Sequence, residues 1–249
     1  MARSRSSLVL VAVVASMLLL PVSAGASVPS GSIAGYAVEF ITVLKAHVVF
    51  QVPKASCNTF ASYMYIGTAM DVVAVNDVGA VVVISCAAHT RVPTYSAMAF
   101  QYSNGTTETM FPRLKIAPGQ TVATTTIEGC KGCNSSKSSS TIVDETTGVS
   151  QTAKFTAMVP SNGGAEALFG IFCATDFHTE GPCSDVPNFH AVHFTHAMSG
   201  TGPGDTAPLV DFSPTRYAMR IPGRYSVTPS TLGPSGGTFT DTGKVIFEL

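Results

Sequence analysis

Short segments of alternating apolar and polar residues fill the chain, and this alternation restricts its possible folds more than any other feature. Apolar side chains occupy every second position in residues 47–52 and 97–102, and residues 121–127 form a β-branched run. Successive side chains on a strand point to opposite faces, so a period of two is typical of half-buried strands. Beyond residue 26 we find no helical periodicity longer than two turns. The chain is therefore predicted to be all-β, an antiparallel two-sheet sandwich.

The same pattern continues to the C-terminus without a change in composition. Residues 141–143 end in the turn-forming residues 144–148, which is typical of a hairpin. The serine-rich residues 131–140 are predicted to form a long hairpin loop. We therefore expect one domain over residues 27–249. Later strands are predicted at residues 189–196, 217–221 and 244–247.

The N-terminal segment has the composition of a secretory signal peptide. Arg3 and Arg5 precede an apolar stretch at residues 8–20, and small residues follow at 24–26. The apolar stretch is shorter than the roughly 20 residues that span a bilayer. Residues 1–26 are therefore predicted to be a cleaved signal peptide. The mature chain is predicted to be secreted into an oxidising extracellular compartment, with no membrane association after cleavage.

Charge and motif content exclude several classes of function. Lys and Arg number 14 against 15 Asp and Glu, a net charge of -1, so a nucleic-acid partner is not expected. Charged residues are only 12% of the chain, against about 25% in typical soluble proteins. Phosphate-binding, dinucleotide-binding and serine-hydrolase motifs are absent from the sequence. We expect no cofactor and a monomeric protein.

The cysteine content fits disulfide bonds in an exported protein. Six cysteines allow 15 pairings, so the sequence leaves the connectivity open. Short separations favour pairs within the last four cysteines, 130 with 133 and 173 with 183, which leaves 57 with 86. A redox or zinc role for the C-x-x-C segment is less favoured, because it lies in a serine-rich turn and no second ligand pair has matching spacing. The cysteines are Cys57, Cys86, Cys130, Cys133, Cys173 and Cys183.

Two segments resemble chemical motifs but are interpreted as structural. On a strand, His193 would face away from His190 and His196, and the latter two would be about 20 Å apart. No metal site is therefore expected. Asp241-Thr242-Gly243 matches the aspartic-protease triplet, but that chemistry needs two such aspartates, so a turn is predicted here.

A series of segments resembles a known family in order and spacing. Ala34-Gly35-Tyr36 opens one strand, and a second strand runs to Val52-Pro53 before Cys57. Residues 65–70, 76–79, 95–102 and 117–120 follow, and Ala153-Lys154-Phe155 comes after the 144–148 turn. These segments are similar to those of secreted glutamic peptidases (eqolisins), particularly bacterial relatives. The resemblance covers roughly residues 33–247 and places residues 153–155 on the family motif A-E-W-I-V-E.

The resemblance implies a concanavalin-like jelly roll and a Cys57–Cys86 disulfide near the substrate-binding strands. It also implies a catalytic Gln and Glu that activate water at acid pH. In this chain Asp77 stands at the Gln position, with Asn76 as the alternative if the register shifts by one, and Lys154 stands at the Glu position. An ammonium group has no lone pair to accept a proton, so Lys154 cannot act as the base. Asp77 and Lys154 are predicted to face each other as an ion pair.

Other cleft positions of the family are also altered. Ala69 and Phe100 stand where the family has acids, and Met98 stands where it has Trp; the chain contains no Trp. No intact set of catalytic residues is expected. The candidate cleft consists of Tyr65, Ala69, Asn76, Tyr95, Met98, Phe100 and Tyr102.

These observations favour a secreted, non-catalytic β-sandwich protein that binds a peptide or a cell-surface polymer in a degenerate cleft. A divergent acid endopeptidase with a rearranged site is the first alternative, because the resemblance covers nearly the whole mature chain. A carbohydrate-binding module is the weaker alternative: sugars stack on Trp or Tyr, and the chain has seven Tyr but no Trp.

Overall fold

The computed structural model describes residues 28–30, 32–39, 43–58, 60–72, 76–102, 106–128, 137–156, 165–173, 185–202 and 204–245. The predicted signal peptide, residues 1–26, lies outside these ranges. The strands are β1 (Val28–Ser30), β2 (Ile33–Val38), β3 (Lys45–Gln51), β4 (Ala55–Ser56), β5 (Ser62–Val72), β6 (Asn76–Cys86), β7 (Thr94–Tyr102), β8 (Thr106–Met110), β9 (Thr121–Ile127), β10 (Lys137–Asp144), β11 (Val149–Thr156), β12 (Ala165–Phe172), β13 (Asn188–Phe189), β14 (Ala191–Gly200), β15 (Ala207–Pro208), β16 (Thr215–Ile221), β17 (Tyr225–Pro229) and β18 (Phe239–Val245). A single 3₁₀ turn, Leu209–Phe212, interrupts the strands of the described ranges.

The strands form two layers packed face to face. The first sheet has the order β2-β12-β5-β6-β7-β8, and the second has the order β11-β10-β9-β3-β14-β18-β17. Strand β16 joins β17 to β2 and so links the layers, while β9 and β10 pack across the core onto β5 and β6. The principal pairings are antiparallel, although β1 runs parallel to β16. The predicted all-β antiparallel sandwich is confirmed.

The core forms where the alternating apolar positions of the two sheets meet. On the second sheet Phe194 stacks on Phe239, with ring centroids 4.5 Å apart, and lies 5.7 Å from Phe50. From the first sheet Tyr36 meets the edge of Phe239 at 5.0 Å, and Phe169 is fully buried. Burial of such side chains is the dominant favourable contribution to folding.

A row of three glycines crosses the first sheet. Gly35 on β2 pairs with Gly170 on β12, which pairs with Gly67 on β5. All three have positive φ, at 134°, 144° and 153° respectively. A Cβ on Gly170 would lie 2.1 Å from the Ala34 carbonyl oxygen, and one on Gly35 would lie 2.0 Å from that of Phe169. The two strands can approach this closely only because neither position has a side chain.

Polar groups are also buried between the sheets. The Thr68 hydroxyl on β5 lies 3.0 Å from that of Thr126 on β9. At one end of this layer Glu128 is 3% exposed and accepts a hydrogen bond of 2.9 Å from Ser138. Asp241 on β18 is fully buried, and neither of its carboxyl oxygens has a hydrogen-bond partner.

Three local sequence predictions need correction. The sequence predicts a serine-rich loop through residue 140, but residues 137–140 belong to β10. Ser138 and Ser140 point inward and the alternate positions face outward, so this polar segment alternates as a strand does. Asp241-Thr242-Gly243 forms no turn: it lies within β18, which begins at Phe239 rather than at residue 244. The segment 189–196 is interrupted by a bend at His190.

The Cys57–Cys86 disulfide is confirmed, and it joins the loop before β5 to the end of β6. Cys173, directly after β12, is also disulfide-bonded. Cys130, Cys133 and Cys183 lie outside the described residues, so the other two pairings stay predictions.

Removal of the Cys57–Cys86 bond is expected to destabilise the fold substantially. The bond closes a 29-residue separation, and chain-entropy arguments give such a crosslink about 3–4 kcal/mol of unfolding free energy. The Cys57→Ala/Cys86→Ala variant should lose this amount in equilibrium denaturation. Substitution is preferable to a reductant because Cys173 is disulfide-bonded too. A loss below about 1 kcal/mol would contradict the expectation.

Candidate functional site

The outer face of the first sheet, which points away from the core, carries most of the cleft residues predicted from the sequence. Along one row of this face, Leu168 pairs with Ala69, Ala69 with Gly79, and Gly79 with Phe100. In the next row Glu166 pairs with Asp71, Asp71 with Asp77, and Asp77 with Tyr102. We call these the apolar row and the carboxylate row.

The apolar row is closed. Ala69 and Leu168 are buried, and Phe100 is 1% exposed. The Phe100 ring lies directly on Gly79, because a Cβ there would come within 2.4 Å of two ring carbons. Met98, Val81 and Phe172 extend this apolar cluster. None of these side chains can hold a water molecule by hydrogen bonds.

The carboxylate row holds three acidic residues on neighbouring strands, Glu166 on β12, Asp71 on β5 and Asp77 on β6. Asp77 on β6 is completely buried, whereas Glu166 on β12 is half-buried. Two strand spacings separate them, which places their Cα atoms about 10 Å apart. Side chains that lean toward each other from this distance can contact one bound molecule.

Glu39, which follows β2, adds a fourth acid beside this row. Its carboxylate accepts hydrogen bonds from the Tyr217 hydroxyl and, at 3.4 Å, from Thr215. Burial, this hydrogen bond and the negative charges of Glu39 and Glu166 all raise the pKa of Tyr217. Tyr217 therefore stays protonated and donates to the Glu39 carboxylate.

Most of the predicted cleft residues share this outer face, but not all. Tyr95 is the exception: it packs against the core between the sheets, and its hydroxyl accepts a 3.0 Å hydrogen bond from the Ala55 amide. The backbone of Asn76 lies on β6, and its side chain is outside the described residues. Those on the outer face are Tyr65, Ala69, Met98, Phe100 and Tyr102.

The structure does not bring Lys154 and Asp77 together. Lys154 is exposed on β11, and its neighbours Ala153 and Phe155 point into the core. Lys154 therefore projects from the outer side of the second sheet, and Asp77 lies on the outer side of the first. Both layers of the sandwich separate the two residues, so the predicted ion pair has no geometric basis.

Glu166 is the residue that the sequence reasoning missed. Ala165-Glu166 begins β12 and is followed by apolar residues, as in the motif A-E-W-I-V-E. This match was available in the sequence and is better than Ala153-Lys154, which lacks the acid. The strand register places Glu166, not Lys154, in one row with Asp77.

The histidine tract is exposed, with one unexpected feature. A register shift follows Thr195, and His196 has φ of 50°, which indicates a β-bulge. Because of the bulge His196 is exposed like His193 rather than pointing to the opposite face. Within the described ranges, no group of three or more His, Cys, Asp or Glu side chains is arranged to hold a metal ion.

Comparison with known proteins clarifies the architecture. A crystal structure of scytalido-glutamic peptidase with a transition-state analogue inhibitor matches 84% of this chain and 96% of its own, with a TM-score of 0.59 and 17% identity. The fold is that of the glutamic peptidases. SCP-B, an eqolisin-family peptidase in complex with the tripeptide Ala-Ile-His, matches over the same shares with a TM-score of 0.53 and 16% identity.

Sequence comparison adds no closer relation. No protein-family model matches the chain. No curated protein matches it either. The described part of the chain contains no helix that is long and apolar enough to cross a bilayer. The relation to glutamic peptidases that these comparisons show is therefore one of fold.

Proposed function

We propose that the chain is an exported, non-catalytic protein that binds an extended peptide against the carboxylate row. The burial of Asp77 carries this proposal. The sequence resemblance aligns Asp77 with the catalytic Gln of the glutamic peptidases, and its side chain is 0% exposed. A group that stabilises a developing oxyanion must lie within about 3 Å of the substrate oxygen, which a sealed carboxyl cannot do.

The groups that remain accessible favour binding of a basic peptide. Glu39 and Glu166 are half-buried carboxylates, and carboxylates form strong hydrogen bonds with Arg and Lys side chains. Tyr102, in the same row, and Tyr217, which donates to Glu39, are half-buried and offer apolar ring surface with polar tips. The side chains of the neighbouring apolar row cannot hydrogen-bond an attacking water.

A second candidate, an acid endopeptidase, is favoured by the register of Glu166 and Asp77. Both stand in one row on a fold shared with scytalido-glutamic peptidase. The carboxylate form of Glu166 can accept a proton from water, and the neutral carboxyl form of Asp77 can donate a hydrogen bond to an oxyanion. This chemistry requires that the face opens enough to expose Asp77.

One set of assays separates the two candidates. The full chain is expressed with export, purified, and incubated with a denatured protein substrate from pH 2 to 7. We expect no cleavage by the native protein. We also expect an Arg- and Lys-rich peptide to bind, and Glu166→Gln to weaken its affinity about tenfold. Glu145→Gln, which alters an exposed turn acid on the second sheet, is the matched control and should leave binding unchanged.

Cleavage by the native protein near pH 2–4 that disappears in Glu166→Gln would establish the endopeptidase and refute the non-catalytic proposal. Asp77→Gln, with Glu166 intact, is the complementary variant. Cleavage gained by Asp77→Gln alone would show that Glu166 occupies the position of the catalytic Glu of the glutamic peptidases. The same variant combined with Lys154→Glu should gain nothing further, because Lys154 is on the other side of the sandwich.

A further inference from the structure

The outer face of the second sheet has a charge pattern opposite to that of the carboxylate row. Four of the chain's seven lysines occupy outward positions on its strands. Among the described residues, no outward position on these strands carries Asp or Glu. The four lysines are Lys45 on β3, Lys137 on β10, Lys154 on β11 and Lys244 on β18.

Register places two of these lysines in one row across the sheet. Lys154 pairs with Ser139, Ser139 with Ile127, and Ile127 with Lys45. Three strand spacings separate the two lysines, which is about 14 Å. The ammonium groups can therefore contact different parts of one extended ligand.

Hydroxyl groups form the neighbouring row. Thr152, Thr141 and Thr125 lie side by side on β11, β10 and β9, and His47 on β3 completes the row. The Thr141 and Thr152 hydroxyl oxygens are 2.9 Å apart, and His47 Nδ1 lies 2.8 Å from the Thr125 hydroxyl. Burial, with the charges of Lys45 and His196, lowers the pKa of His47, so the lysines carry the charge at neutral pH.

The same side-chain pairing recurs farther along the face. His193 Nδ1 on β14 lies 3.0 Å from the Thr240 hydroxyl on β18. His193, His196 and Lys154 are exposed, and no Phe, Tyr or Trp occupies an outward position on the described strands of this sheet. The surface thus offers cations and hydroxyl groups on a sheet face.

We propose that this face binds an anionic polysaccharide, with lysines pairing with its carboxylates and the Thr row hydrogen-bonding its hydroxyls. Charge complementarity favours an anionic occupant. The chain as a whole has a net charge of -1, but the described strands of this face present four lysines and no Asp or Glu, so the face is locally cationic. Carboxylate groups form charge-assisted hydrogen bonds with ammonium groups, and sugar hydroxyls match the donors and acceptors of Thr. The face lies on the opposite side of the sandwich from the carboxylate row.

The test is retention on immobilised polygalacturonate at pH 7, with dextran as the neutral comparison. We expect the native protein to be retained on polygalacturonate but not on dextran, and to elute as salt rises. Lys45→Gln/Lys154→Gln should weaken the affinity about tenfold. Lys54→Gln/Lys115→Gln removes two exposed lysines elsewhere and should behave like the native protein.

Each remaining outcome counts against the proposal. Absence of retention at low salt, or equal weakening in both double variants, would overturn it. Equal retention on poly-glutamate of matched charge would overturn the sugar-specific part, because hydroxyl recognition would then contribute nothing. Glu166→Gln should not alter retention, so this result stands or falls separately from the peptide proposal.

Discussion

Gly170→Ala is expected to abolish folding or to cost more than about 3 kcal/mol of unfolding free energy. Gly170 has φ of 144°, a backbone conformation that residues with a side chain rarely adopt. An added Cβ would also lie 2.1 Å from the Ala34 carbonyl oxygen on the paired strand. That contact is with backbone, so no side-chain rotation can relieve it. Relief would require β2 and β12 to separate at the centre of the first sheet.

The matched control for this substitution is Gly148→Ala. Gly148 also has a positive φ, 73°, but it lies in the exposed turn between β10 and β11, and an added Cβ would meet nothing within 4 Å. It should cost about 1 kcal/mol through backbone strain alone. Circular dichroism and denaturant unfolding measure both variants. Equal stability of the two variants would show that the glycine row tolerates side chains.

The protein is expected to be more stable at acid than at neutral pH because of two buried carboxyl groups. Burial raises the pKa of Glu128 to about 7, against an ordinary value of 4.5, and Ser138 offsets this only in part. Burial also raises the pKa of Asp241 well above its ordinary value, with no hydrogen bond to either oxygen. The ionisable groups around Asp241 include Tyr36, whose own pKa is raised mainly by burial and, in smaller part, by the Asp241 charge.

The direction follows from proton binding. Between the unfolded and folded pKa values the folded state holds a proton that the unfolded chain has released, so stability falls as pH rises. The full contribution is present below about pH 4.5. For Glu128 the loss between that pH and pH 7 is roughly 3 kcal/mol, and Asp241 adds to it in the same direction.

Unfolding free energies measured from pH 4 to 9 test this expectation. Glu128→Gln should remove most of the loss of unfolding free energy that Glu128 causes near neutral pH. Asp241→Asn should reduce the remaining dependence of the unfolding free energy on pH. Asp211→Asn, at an exposed carboxyl, should leave the slope unchanged. A native stability that rises between pH 5 and 7 would contradict the assignment of protonated carboxyls to the core.

Local sequence patterns were sufficient for several individual strands, although they did not predict β12. Residues 121–127 become β9 with the same bounds, and the turn at 144–148 joins β10 to β11 as expected. Alternation works here because one face of each strand is buried, so every second side chain must be apolar. The Cys57–Cys86 bond was also indicated, through a resemblance that covers nearly the whole mature chain.

Local patterns failed where a polar residue is buried or where distant strands meet. Asp241 looked like a turn residue, since burial of an uncompensated acid is unfavourable and sequence preferences therefore argue against it. Lys154 was matched to a motif by its neighbours, whereas register with β5 and β6 assigns that row to Glu166. The bulge at His196 likewise changed which face a side chain occupies.

The sequence alone therefore determined the fold class and several of the strands, because both follow from the burial of alternating side chains within a few residues. The sequence by itself also gives the identity of the charged residues on both outer faces. Only the tertiary structure decided which of those charges stand together. Glu166 and Asp77 are 89 positions apart in the numbering, and Lys45 and Lys154 are 109 apart. Their alignment into rows depends on the pairing register of non-adjacent strands, which packing across the whole sandwich sets.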